Sequence, residues 1–249
     1  MFPILHIGPL SIPLPGLILI LGIWLGITLA EKHSYKLGVS ANTVYNLVFV
    51  SLVAGLVFAR LSYVIRFPSS FFENPLTLIL PNPNLFDVQG GIAGAILAAV
   101  IYGNRKKLGL WPTLDGLTPM FAVFFIALHL SNLASGNAYG SPTELPWGIK
   151  LWNETRHPTQ LYEAVSACII LLITWPGRHW ISKVSPGGLF LVFLALASFS
   201  RLICEAFRGD SLTIFGHYRL AQILSLVMLM VSLWVLHKKI PEIPNEAGL

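Results

Sequence analysis

The stretch Arg156–Glu163 reads Arg-His-Pro-Thr-Gln-Leu-Tyr-Glu, and it interrupts a chain that is otherwise mostly apolar. Proline has no backbone N–H and suits the first turn of a helix, so a helix is predicted to begin at Pro158. The apolar run that follows, residues 161–175, is long enough for most of a membrane span. Backbone N–H groups at a helix start favour anions. We therefore expect a polar site where this span leaves the membrane, although a capped helix end with Tyr162 as an aromatic anchor is the simpler alternative.

The composition is that of a polytopic membrane protein. Of 249 residues, 55% are hydrophobic and 11% are charged, and the mean hydropathy is +0.71, which exceeds what a soluble domain needs. The sequence predicts one domain over residues 1–249, an all-α integral membrane protein with about seven transmembrane helices and an outward-facing polar cavity. The predicted spans are residues 14–30, 44–65, 88–103, 117–134, 161–175, 187–207 and 219–237.

Two connections stand out between these spans. Residues 67–86 contain an apolar run that is too short to cross the bilayer, and we expect this segment to lie in the outer interface. Residues 135–157 form the longest connection, which is predicted to be an outer loop that covers the polar site.

The basic residues set the predicted orientation. With the N-terminus outside and the C-terminus inside, the inner loops hold nine of them: Lys32, Lys36, Arg105, Lys106, Lys107, Arg178, Lys183, Lys238 and Lys239. The outer loops then hold five: Arg66, Lys150, Arg156, Arg208 and Arg219. This distribution fits the positive-inside rule. The net charge of +5 is scattered over short loops, so we expect anionic lipid headgroups and not nucleic acid as the partner.

Charged residues inside the predicted spans mark a candidate site. Arg60, with Tyr63 three residues later, lies in the second span, where a charge costs on the order of 3 kcal/mol unless it faces the bundle interior or water. Arg201, Glu205 and Arg208 recur at i, i+4 and i+7, which places them on one face of a helix. Two arginines around one glutamate leave a positive charge that favours an anion such as a lipid phosphate, although a structural salt bridge is the alternative.

The end of the fourth span is also polar. His129, Ser131 and Asn132 precede a segment with Gly136 and Gly140, which makes a polar pocket plausible. A hydrogen-bonded structural histidine would fit the same pattern.

Cysteines in apolar stretches behave as small hydrophobic residues, so Cys168 and Cys204 are not expected to form a disulfide or to act as nucleophiles. No group of residues has metal-ligand spacing, so no metal is expected.

Several short motifs follow one another along nearly the full length of the chain. They are Ile7-Gly8-Pro9 leading to Gly16, Arg60-Leu61-Ser62-Tyr63, the glycine-rich Gly90–Gly94, the trio Asn132, Gly136 and Gly140, the stretch Arg156–Glu163, the stretch Arg201–Arg208 followed by Asp210, and Gln222–Ser225. Together these motifs resemble those of the prolipoprotein diacylglyceryl transferase family. The resemblance implies a multi-pass protein of the bacterial cytoplasmic (inner) membrane.

The chain departs from the family pattern at several positions. Gln89 stands where the family normally has histidine, and His129 stands where it has arginine. Ser131, Ser135 and Asn137 replace glycine, asparagine and glutamate, and Pro13 and Pro15 replace histidine and tyrosine near the N-terminus.

The resemblance implies a transfer reaction. In the family, the thiol of the lipobox cysteine in a prolipoprotein signal peptide attacks the glyceryl carbon of phosphatidylglycerol, and glycerol phosphate leaves. Such a step needs a thiolate and a stabilised leaving phosphate, but no metal or organic cofactor. The implied substrates are therefore phosphatidylglycerol, or another anionic phospholipid, and the signal peptide of a prolipoprotein.

The resemblance also suggests a role for each candidate residue. Arg201 would hold the lipid phosphate with help from Arg208 or Arg60, and His157 or His129 would help to deprotonate the thiol. Gln160 and Glu163 would orient His157 and Arg156. The remaining substrate-binding candidates are Tyr63, Gln89, Asn132, Gly140 and Glu205.

Three other functions remain open from the sequence. A divergent relative could use another lipid donor or acceptor, and an inactive relative could bind lipid only. A transporter could use the same buried charges, but transporters tend to have internal repeats and polar residues that reach both faces. Here the polar residues collect towards the outer half.

Overall fold

The computed structural model describes residues 4–7, 10–37, 39–69, 85–151, 153–176, 185–214 and 216–239. These residues form seven α-helices: α1 (Leu14–Ser34), α2 (Ala41–Arg66), α3 (Val88–Arg105), α4 (Leu110–Ser135), α5 (Thr159–Ile173), α6 (Gly188–Cys204) and α7 (Leu220–Lys239). Among them, α1, α2, α4, α7 and α6 with its following turn are long and apolar enough to cross a membrane, whereas α5 is apolar but shorter. The chain is thus an all-helical membrane protein.

Each of the seven helices overlaps one of the predicted apolar segments, but some bounds differ. α4 begins at Leu110 and not at residue 117. Pro112 lies in its first turn, where proline is tolerated. α5 begins at Thr159, one residue after Pro158. Most of the proposed interfacial segment, residues 70–84, lies outside the described residues, as do Arg178 and Lys183.

The structure also contains short β-hairpins, which were not predicted from the sequence. The described residues hold three antiparallel pairs: β1 (Ile4–Ile7) with β2 (Leu10–Pro13), β3 (Ile149–Leu151) with β4 (Glu154–Arg156), and β5 (Thr213–Ile214) with β6 (Tyr218–Arg219). Such short strands leave no alternating pattern to detect. The second hairpin pairs Ile149 with Arg156, and it delivers the chain directly to the start of α5.

Glycines allow two helix pairs to pack closely. A Cβ atom on Gly22 of α1 would overlap the side chain of Ala127 on α4. A Cβ atom on Gly94 of α3 would overlap Phe58 on α2. Small residues at such positions let helix backbones approach in a membrane, where van der Waals contact drives association. The bundle therefore rests on the pairs α1–α4 and α2–α3, with large apolar side chains such as Trp24 and Ile65 exposed on its outside.

The ends of α4 and α6 contact each other at two opposite ends of the bundle. At one end, Gly140 after α4 pairs with Arg208 after α6, and Ser141 N donates to Phe207 O at 2.8 Å. At the other end, Asp115 of α4 accepts hydrogen bonds from Gly187 N (2.6 Å) and Phe190 N (2.8 Å) at the start of α6. We call these the site end and the latch end.

Candidate functional site

Glu163 lies at the centre of an ion cluster at the site end. Its side chain is 2% exposed, and its Oε1 atom lies 2.5 Å from Arg201 Nη1 and 3.6 Å from Arg208 Nη1. The other oxygen, Oε2, lies 3.1 Å from His129 Nδ1. One carboxylate of α5 therefore joins a histidine of α4 to two arginines from α6 and the segment after it.

Glu205 forms the second half of this cluster. Its Oε2 atom lies 2.9 Å from Arg201 Nη2 and 3.7 Å from Arg208 Nε, and its backbone oxygen accepts a hydrogen bond from Arg219 Nη1. Arg208 also donates from Nε (2.9 Å) and Nη2 (2.8 Å) to the two oxygens of Asp210. Burial opposes the charge of this guanidinium group, but the hydrogen bonds to Asp210 and the nearby Glu163 raise the pKa of Arg208 above its ordinary value.

The structure corrects two expectations for the arginines. α6 ends at Cys204, and Glu205–Phe207 form a 3-10 turn, so Arg208 does not continue one α-helical face with Arg201. The predicted surplus of positive charge is also wrong for the resting cluster, because Glu163 and Asp210 join Glu205 around the two arginines. Arg219, which the sequence analysis treated as a loop residue, restores the balance of the cluster. The net charge of the ion cluster is thus close to zero, and protonation of His129 would make the cluster positive.

Two cavities meet at Arg201. The larger, of about 310 Å³, lies between α4, α5, α6 and α7 and is mostly apolar, with His129, Glu163 and Arg201 among its lining residues. The smaller, of about 230 Å³, is lined by Arg201, Glu205, Arg208 and Asp210 together with residues of the following loop and α7. Arg201 is 34% exposed, so its guanidinium group is accessible between an apolar cavity and a charged one.

His157 belongs to a neighbouring aromatic cluster and not to the ion cluster. Its Nδ1 atom lies 3.4 Å from the Tyr162 hydroxyl, and its ring centroid lies 5.2 Å from that of Phe207. Trp147 Nε1 donates to the same Tyr162 oxygen at 2.8 Å. The proposed orientation of His157 and Arg156 by Gln160 and Glu163 is therefore wrong, because Glu163 pairs with Arg201 and Arg156 pairs with Glu154.

Three side chains of the stretch Arg156–Glu163 hold the loop after α4. Arg156 Nη1 donates to Gly140 O (3.2 Å), Thr159 Oγ1 to Ala138 O (2.7 Å), and Gln160 Nε2 to Asn137 O (2.8 Å). A Cβ atom on Gly140 would overlap the backbone of His157. These contacts fix the loop against α5, and Asn132 is half-buried in the last turn of α4. Neither of the two cavities is lined by Asn132, Gly140, Arg156 or Gln160.

The remaining candidates lie at the junction of α2 and α3. Arg60 Nη1 donates to Leu85 O at 2.9 Å, and Arg66 Nη2 donates to Gln89 Oε1 at 3.2 Å. The Ser62 hydroxyl donates to Asp87 at the start of α3, and this hydrogen bond, followed by the charge of Arg66, lowers the pKa of Asp87. Neither cavity described above includes Arg60, Tyr63 or Gln89 among its lining residues. The described hydrogen bonds of Arg60 and Gln89 therefore lie at the junction of α2 and α3.

Comparison with known proteins gives one consistent family. The family described as prolipoprotein diacylglyceryl transferase matches residues 3–238. Three similar proteins carry the name phosphatidylglycerol–prolipoprotein diacylglyceryl transferase. The protein from Trichormus variabilis is 29% identical over 96% of this chain and 90% of its own length. The one from Thermus thermophilus is 30% identical over 94% and 96%, and the one from Clostridioides difficile is 29% identical over 85% and 84%.

Proposed function

The chain belongs to the prolipoprotein diacylglyceryl transferase family, and from this membership we propose that it transfers a diacylglyceryl group from phosphatidylglycerol to the lipobox cysteine of prolipoproteins. Its relatives bear names that state both the phospholipid and the prolipoprotein. The transfer joins the cysteine sulfur to the glyceryl carbon as a thioether and releases glycerol phosphate.

The observation that carries this proposal is the position of Arg201. A phospholipid has an anionic phosphate attached to long apolar chains, and it needs a cation at the border between an apolar space and a polar one. Arg201 lines both the apolar cavity of about 310 Å³ and the charged cavity of about 230 Å³. In our proposal the acyl chains occupy the first cavity, and the phosphate contacts Arg201 from the second.

The charges around Arg201 would assist the leaving group. Arg208 lies beside the carboxylates of Glu163 and Glu205, and Arg219 donates to the backbone oxygen of Glu205. The phosphate that departs would therefore be stabilised by several guanidinium groups in a partly buried site. Because carboxylates occupy these arginines at rest, the phosphate would take the place of one carboxylate at Arg201. The enzyme would need a group that accepts the thiol proton, and His129 and His157 are the two candidates.

The protein would work in the bacterial cytoplasmic membrane. We propose seven spans, with α3 and the short α5 crossing alongside the five long apolar helices. In this arrangement the N-terminus and the site end face outward and the C-terminus faces inward, as the distribution of lysine and arginine indicates. The prolipoprotein signal peptide, which also lies in the membrane, could then reach the cavity.

A donor assay tests this function. The purified protein is incubated with vesicles of phosphatidylglycerol and a lipobox peptide, and the release of glycerol phosphate is measured. We expect release only when the peptide carries its cysteine, so the control peptide has serine at that position. Release that does not depend on the cysteine would mean that the protein hydrolyses lipid, and no release with folded protein would contradict the proposal.

A further inference from the structure

His129 and Glu163 form a histidine–carboxylate pair that is buried at the site end. The side chains are 15% and 2% exposed, and Nδ1 lies 3.1 Å from Oε2. Their contact is an ion-pair contact, and within the described part of the chain neither of these two atoms makes a hydrogen bond. A carboxylate that faces one ring nitrogen keeps the proton on that nitrogen and leaves the second nitrogen as an acceptor. Nε2 of neutral His129 is thus prepared to take a proton.

The pair lies where a reacting group could meet it. His129 and Glu163 line the cavity of about 310 Å³ together with Arg201, and most other lining residues, such as Phe125, Ile170 and Met228, are apolar. In such a space, a base can remove a proton from one reacting group, and the neighbouring cation can stabilise the anion that develops on the other.

His157 has a different environment. The indole N–H of Trp147 can only donate, and it donates to the Tyr162 oxygen at 2.8 Å. His157 Nδ1 lies 3.4 Å from the same hydroxyl group, and the partners described for its ring are aromatic and not carboxylate. Among the described contacts of His157, no carboxylate therefore holds a proton on one of its ring nitrogens.

Resting on the proposed function, we infer that the His129–Glu163 pair is the general base that takes the proton of the lipobox cysteine thiol. The S–H proton moves to His129 Nε2, the sulfur forms a bond to the glyceryl carbon, and the bond between that carbon and the phosphate oxygen breaks. The electron pair of the broken bond leaves with glycerol phosphate. The proton on His129 then passes to water, so the imidazole is neutral again for the next cycle.

The charges around His129 favour this role when lipid is bound. From α5 the facing charge is Glu163, and from α6 it is Arg201; Arg208 lies 3.6 Å from Glu163, and α7 lines the cavity with Leu224, Ser225 and Met228. A phosphate that contacts Arg201 from the charged cavity would meet the side of Arg201 that holds Glu205, because Glu205 and not Glu163 lines that cavity. The His129–Glu163 pair would stay intact and available as a base when lipid is bound.

The test is the pH dependence of turnover in matched variants. We compare kcat/KM for the lipobox peptide, with phosphatidylglycerol as donor, from about pH 5 to about pH 8, which spans the ordinary imidazole range and stays below the ordinary thiol pKa of about 8.5. The variants are His129→Gln, His129→Arg and Glu163→Gln, and the control is His237→Gln at the exposed end of α7. Binding of phosphatidylglycerol vesicles and the circular dichroism of each variant are measured in parallel.

For the native protein and the control we expect kcat/KM to rise with pH through one inflection and then to level off. His129→Gln should bind phosphatidylglycerol but lose roughly 10²-fold to 10⁴-fold in kcat/KM together with the inflection. His129→Arg should be inactive at every pH. Glu163→Gln, which retains the imidazole, should move the inflection to lower pH because the imidazolium ion loses its negative partner.

Two results would overturn the inference while leaving the proposed function intact. One is a native inflection that persists in His129→Gln. The other is an active His129→Arg variant with a flat profile, which would make His129 a cation for the phosphate. If His129→Gln does not fold, an unchanged inflection in Glu163→Gln overturns the inference, and a shifted one supports it. Failure of the native protein to turn over these substrates would instead reject the proposed function.

Discussion

Arg201 uses the two ends of its guanidinium group to hold two carboxylates from different elements. Nη1 lies 2.5 Å from Glu163 and Nη2 lies 2.9 Å from Glu205. A lysine ammonium is a single point charge and cannot reproduce this fork. We therefore predict that Arg201→Lys loses nearly as much turnover and lipid binding as Arg201→Ala, both measured with phosphatidylglycerol at matched expression levels.

The control for this prediction is Arg105→Lys, at the exposed end of α3, which should keep native turnover. If Arg201→Lys keeps much more turnover and lipid binding than Arg201→Ala, then a positive charge alone is sufficient at this position. Full activity of folded Arg201→Ala would remove Arg201 from the site.

The sequence could identify some of these residues and not others. Arg201 and Glu205 were recognisable because charges are costly inside an apolar segment. The contact between Glu163 and Arg201 joins residues 38 positions apart, and no local pattern encodes such a pairing. Arg219 was missed for the same reason, since a basic residue in a predicted loop carries no sign that it reaches a buried backbone oxygen.

At the scale of elements, the latch end fixes α6 to α4. Asp115 is 5% exposed and accepts the hydrogen bonds of Gly187 N and Phe190 N, while Gly187 has φ +92° and no room for a side chain beside Trp111. We predict that Asp115→Ala lowers the free energy of unfolding by about 1–3 kcal/mol, because two buried N–H groups lose their acceptor. Thermal unfolding in detergent measures this.

Two further variants sharpen the prediction for the latch end. Asp115→Asn should be less destabilised than Asp115→Ala, because its amide oxygen can still accept one hydrogen bond. Gly187→Ala should also be destabilised, because alanine is strained at a positive φ and would press on Trp111. An unchanged melting temperature for Asp115→Ala would show that these hydrogen bonds do not hold α6.

Helix positions were easier to predict than helix ends. Apolar runs locate α1, α2 and α7 because a span needs about 20 such residues. The start of α4 was missed because a proline and a charge, Pro112 and Asp115, precede the apolar run. Pro112 lies in the first turn of the helix, and the Asp115 carboxylate accepts hydrogen bonds from the start of α6. The end of α6 was missed because a 3-10 turn follows it with no breaker in the sequence.

For the molecule as a whole, we predict that the site end faces outward. Single cysteines are placed at Glu144, exposed in the loop after α4, and at Glu246, in a background with Cys168 and Cys204 replaced by alanine. An impermeant thiol reagent should label residue 144 in intact cells, and residue 246 only after the cells are opened. The reverse labelling pattern would invert the proposed topology and place the site on the wrong side for an exported prolipoprotein.

The proposed reaction joins a diacylglyceryl group to a lipobox cysteine at the cavities that meet at Arg201. The most direct measurement is the mass of a lipobox peptide after incubation with the purified protein and phosphatidylglycerol. We predict that the peptide gains the mass of one diacylglyceryl group on its cysteine sulfur with the native protein, and not with the folded Arg201→Ala variant. An unchanged peptide mass with native protein that is folded and binds phosphatidylglycerol would contradict the account.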